Sequence, residues 1–173
     1  GTPTEKAQRV RDMGGQIDEF ILGDLAGGEA YLRDLPTTNG KVGLIGFCAG
    51  GRVAYMAASQ MPTLDCSVDC WGGSVTEPPA QLSKNQPVAP FDWTKDIAMP
   101  LLGIFGNDDK NPDPVQVNTI EAELKKYKKA YEFHRYDGTG HSFFTWYNAD
   151  RYRPEQCVDA WEKVFAFYKK HLG

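Results

Sequence analysis

Apolar residues along this chain follow two rhythms. Four short runs, 41–46, 65–71, 99–106 and 130–136, are apolar or alternating and too short for helices, so they predict strands. Three longer stretches, 50–59, 114–128 and 155–171, predict helices. In the second, Val117, Ile120, Leu124 and Tyr127 fall on one stripe, and in the third Val158, Trp161, Phe165 and Tyr168 do so. Ahead of the first strand, Val10 to Leu35 reads as one helix with Ile17, Ile21, Leu25 and Leu32 near one face, interrupted by Gly27-Gly28 and ended by Pro36. The segment 76–95 carries four prolines and no period, and predicts a surface connection. Strands alternating with helices predict an α/β fold: a parallel sheet flanked by helices.

The strand ends carry the candidate chemistry. The first strand runs into Gly46-Phe47-Cys48-Ala49-Gly50-Gly51 and then a helix. This is the pattern of a nucleophile elbow, with cysteine at the reactive position and glycines at Gly46 and Gly50, where side chains would collide with the turn. At a helix N-terminus the macrodipole favours the thiolate of Cys48. Asn107-Asp108-Asp109 follows the third strand and Asp137-Gly138-Thr139-Gly140-His141 the fourth. Nucleophile, acid and base thus follow one another in the chain order of an α/β-hydrolase triad. Either Asp109 or Asp108 is placed to orient His141.

These segments resemble the dienelactone hydrolases (carboxymethylenebutenolidases), on Gly46 to Gly51, Gly106-Asn107-Asp108-Asp109 and Gly138-Thr139-Gly140-His141-Ser142-Phe143. The resemblance runs from about Tyr31 to the last helix. It implies an α/β-hydrolase-like fold and a cofactor-free Cys48–His141–Asp109 hydrolase acting on lactones or small esters. Ala49 would supply one oxyanion-hole amide. It also implies strands ahead of the elbow that this chain lacks, with a second oxyanion donor, a glutamate and a substrate arginine among them. Thr145 stands where the family has another substrate arginine; Arg151 and Arg153 are the candidates for replacement, while Arg52, at the start of the helix after the elbow, is placed either to bind an anion or to form a packing or salt-bridge contact. On this reading the 173 residues are one N-terminally shortened domain whose elbow strand is an open apolar edge, paired with a second copy or a complementing chain. The alternative is a catalytically incomplete half domain acting as a binding module.

Trp71, Phe143, Phe144 and Trp146 are candidates for a hydrophobic substrate wall near the histidine. Net charge is −4 with no long basic run, which argues against a nucleic-acid partner, and no apolar stretch approaches a membrane span. Cys66 and Cys70 would lie about 13 Å apart at the ~3.3 Å rise per strand residue. That is too far for a disulfide or a shared metal, so no metal is expected. Free cysteines and a catalytic thiolate suit a reducing, cytoplasmic setting.

Overall fold

The computed structural model describes all 173 residues. Helices α1 (Pro3–Asp12) and α2 (Asp18–Asp34) precede strand β1 (Gly43–Phe47), helix α3 (Ala49–Gln60), β2 (Cys66–Cys70), β3 (Leu101–Gly106), α4 (Pro114–Lys126), β4 (Tyr131–Tyr136) and α5 (Pro154–Leu172). The four strands form one all-parallel sheet in the order β1-β2-β3-β4. The elbow strand β1 is therefore at an edge, paired only with β2.

Helices cover both faces. On one side Tyr55, Ala57 and Ala58 of α3 and Ile120 and Leu124 of α4 pack with Leu101, joined by Leu22 and Leu25 of α2. On the other, Ala160, Val164 and Phe167 of α5 pack on Cys66, Val68, Cys70, Leu102 and Ile104. A parallel strand between two helical layers is buried on both faces, which is why every residue of β2 and β3 is buried and β3 reads as an unbroken apolar run. Helix α4 is started by Asp113, whose carboxylate accepts from Gln116 N–H (2.8 Å) while the Gln116 side chain accepts from Asp113 N–H (2.9 Å), with Pro114 in the first turn. No helix is long and apolar enough to cross a membrane.

Three local expectations are corrected. The first helical stretch is two helices, and its break lies at Gly14 and Gly15, both at positive φ (92° and 85°), while Gly27-Gly28 continues α2. Adjacent left-handed residues turn the chain out of a helix, whereas glycine within one only weakens it. The buried stripe of α5 is Cys157, Ala160, Val164 and Phe167, one position earlier than predicted; Val158 (59 % exposed) and Phe165 (63 %) face outward, and Trp161 and Tyr168 are half-buried. In α4 the stripe is Val117, Ile120 and Leu124, and Tyr127 is exposed at the helix end.

The proline-rich connection forms two short 3-10 helices, Pro79–Gln81 and Pro90–Asp96. Its second half is no loose excursion: Thr94 is fully buried, its hydroxyl 2.7 Å from Tyr55 Oη. Its first half holds the α1–α2 turn, with Asn85 Nδ2 donating to Met13 and Gly15 carbonyls (3.0 Å each) and Ser83 Oγ donating to Gly14 O (2.5 Å).

Candidate active site

At the carboxyl end of β1 the chain turns sharply into α3, and Cys48 is the turn residue, at φ 55° and ψ −118°. This left-handed backbone leaves the thiol exposed at the N-cap of α3. Gly46 is obligatory, because a Cβ there would overlap the Gly50 carbonyl oxygen. Gly50 itself has open space around its missing Cβ, contrary to the sequence expectation. The second close approach is instead at Gly51, where a Cβ would meet Asp69 Oδ1 and lie 2.7 Å from Gly72 Cα. The elbow is thus tightened against β2 as well as folded on itself.

Asp69 is the residue sequence reasoning missed. It pairs with Gly46 in the β1–β2 register, is buried, and accepts from Gly72 N–H (2.7 Å). Its other oxygen has no partner, and burial pushes the carboxyl up to about 7. An acidic residue inside the apolar run Cys66 to Cys70 was the available signal.

The acid and base come from the neighbouring strand ends. Asp109 is buried and its Oδ2 is 2.8 Å from His141 Nδ1, while Oδ1 accepts from Asn111 N–H (3.0 Å). Asp108 is exposed, so it is Asp109 that meets the histidine. Asp109 is the main cause that raises His141 to about 9, with the Cys48 side chain second. Reciprocally, His141 is the main cause that lowers the Cys48 thiol below its ordinary range, aided by the Ala49 backbone N–H and opposed by partial burial. Each group thus favours the charged form of the other.

Cys48, Ala49, Asp109 and His141 open onto one cavity of about 690 Å³, whose far wall is Val10 and Arg11 of α1. Of the cations that line it, Arg52 is already spent: it forms a buried two-point ion pair with Asp18 of α2 (2.7 and 2.9 Å). Arg11 and Lys110 are exposed at the rim, whereas Arg151 and Arg153 are not part of the cavity lining. No cluster of side chains is arranged to hold a metal ion.

The aromatic substrate wall is built differently from the expectation. Trp71 and Phe143 are buried, with ring centres 5.0 Å apart and Phe144 4.8 Å from each, and the Trp71 ring lies edge-on 6.5 Å from His141. These three pack on one another, with Trp71 beside the histidine, and do not line the cavity. Trp146 is 76 % exposed and contacts Tyr147. All four cysteines are free, and Cys66 and Cys70 are buried core residues.

Against known proteins, the family profile of the dienelactone hydrolases matches residues 1–172. A Synechocystis protein named "Putative carboxymethylenebutenolidase" is 32% identical over 169 residues, covering 97% of this chain and 65% of its own length. A Bradyrhizobium protein named "Probable 2-oxo-3-(5-oxofuran-2-ylidene)propanoate lactonase" is 29% identical over 156 residues, covering 90% of this chain and 61% of its own. Among solved structures, one titled a "Putative Dienelactone Hydrolase" from Klebsiella pneumoniae superposes with a TM-score of 0.80 at 28% identity, over 88% of this chain and 61% of that one. The chain thus spans less than two thirds of the length of these relatives. Over nearly its whole extent, with the elbow and the strand-end acid and histidine in place, it belongs to the dienelactone hydrolase family.

Proposed function

We propose that this chain carries the nucleophile, base and acid of a cysteine hydrolase that cleaves lactones or small esters. The observation that carries the reading is buried Asp109 set 2.8 Å from His141 Nδ1, on one cavity with the lowered thiol of Cys48. The Cys48 thiolate attacks the carbonyl carbon, and a C–S bond forms as the carbonyl electron pair moves to oxygen. The Ala49 N–H stabilises that oxyanion. Collapse breaks the C–O bond, and the leaving alkoxide takes the proton from His141. Water, losing a proton to His141, then attacks the thioester and restores the thiolate, releasing the acid. A thiolate leaves a tetrahedral centre more readily than an alkoxide, so activated esters and strained or conjugated lactones suit the site better than amides.

The test is hydrolysis of p-nitrophenyl acetate and of a dienelactone by this chain beside Cys48→Ala. Turnover that disappears in the variant supports the reading; equal turnover in both overturns it. A second reading, a half domain that binds without chemistry, is favoured by one feature: β1 has no partner on its outer side. We place there a second copy or a complementing polypeptide, in keeping with exposed Phe47 at the end of β1 and exposed Phe165 on α5. A monodisperse 19.3 kDa species in light scattering would remove that assignment.

A further inference from the structure

The loop that holds the acid has a second face. Asn111 bonds in two directions: its backbone N–H donates to Asp109 Oδ1 (3.0 Å), and its side-chain Oδ1 accepts from Ser74 N–H (3.1 Å). The second bond fixes which way the amide points, since a backbone N–H must meet the oxygen. The Nδ2 group is left without a protein acceptor, and Asn111 and Ser74 both line the cavity that holds Cys48 and His141. The space beside it is kept open by Gly73, where a Cβ would come 2.9 Å from Nδ2. The bond also draws on strain, because Ser74 is held in the left-handed region at φ 59°.

We infer that Asn111 is a substrate-binding residue whose Nδ2 donates a hydrogen bond to an oxygen on the acyl part of the bound ester. The cavity then selects oxygen-substituted acyl groups over plain alkyl ones. The inference rests on the acyl-transfer reading above. A donor that loses its water to an alkyl chain goes unpaired, whereas a substrate oxygen restores the bond, a difference of about tenfold in rate for one neutral hydrogen bond.

The experiment compares p-nitrophenyl 4-oxopentanoate with p-nitrophenyl pentanoate, each normalised to its hydroxide-catalysed rate, on the wild type, Asn111→Asp and Asn111→Ala. Asn111→Asp keeps the acceptor for Ser74 and the backbone bond to Asp109 but has no donor. The wild type is expected to favour the oxo ester by about tenfold in kcat/KM, and both variants to bring that ratio near one, the ratio and not the absolute rate being the readout. An unchanged ratio in both variants overturns the inference. So does an equal fall for both esters with a shifted alkaline limb, which would mean that Asn111 only orients Asp109. Should the wild type hydrolyse neither ester, the acyl-transfer reading falls but the site is still tested by calorimetry with 4-oxopentanamide and pentanamide. Tighter binding of the oxo amide that is lost in Asn111→Asp supports the donor; equal binding by the wild type rejects it.

Discussion

The strands that deliver the nucleophile and the acid differ sharply in enclosure. All six residues of β3 are buried, and Asp109 leaves its end already bonded on both carboxylate oxygens. Of the five residues of β1 only Gly46 is buried, and Phe47, just before Cys48, is exposed. The acid is therefore held by the sheet interior, and the histidine, which follows the edge strand β4, is held by the acid. The nucleophile is held by its turn: Gly46 against Gly50, Gly51 against Gly72, and the Asp69 carboxyl between them. Precision at Cys48 comes from backbone contact at glycine rather than from side-chain burial.

The sharpest way to break that contrast is Gly46→Ala. The added methyl must displace a backbone carbonyl and has no rotamer to escape into, so a loss of more than about 4 kcal/mol in stability is expected. Chemical denaturation measures it, and a near-native midpoint would show that the elbow is not set by that contact. Next comes Asp18→Ala, which leaves Arg52 buried without its partner; it should cost about 3–5 kcal/mol and free the α1–α2 pair from α3. A truncation on each strand then tests enclosure itself. Ile104→Ala in β3 is expected to cost about 2–5 kcal/mol and Leu44→Ala in β1 about half as much. Equal costs would mean that something covers the β1 edge in solution.

The smallest effect on stability, though large for chemistry, is Asp109→Asn. His141 is raised to about 9 with Asp109 the first cause, so the imidazolium and its contribution to stability are present below its ordinary value and lost as pH rises through about 9. The alkaline limb of the pH–rate profile should therefore move to lower pH in the variant. Iodoacetamide labelling of Cys48 should slow near neutral pH in His141→Ala, because the main cause lowering the thiol is gone. A limb or a labelling rate that stays put would detach the histidine from either partner.

What the chain reveals on its own follows from how local each signal is. Strands β1 to β4 and helices α3 to α5 are written in apolar periods within two residues of their ends, and Cys48, Asp109 and His141 are marked by the turns they sit on. The rest depended on contacts across the chain. Arg52 shows no sign of its bond to Asp18, 34 residues earlier. The α5 stripe could be phased two ways, and only packing on Leu102 and Ile104 chose Val164 over Phe165. Aromatic residues beside a histidine look the same whether they face a substrate or, like Phe143, the core.

The far wall of the cavity has a consequence in time. Helix α1 buries none of its residues and is tied down chiefly through hydrogen bonds from Ser83 and Asn85 to the turn after it. Its amides should exchange with deuterium through small local openings, while those of β3 wait for global unfolding. A cavity with one wall that opens often and one that almost never does admits ligands through the first and recognises them on the second. Hydrogen exchange would then divide the site into a fast half at Val10 and Arg11 and a slow half at Asp109.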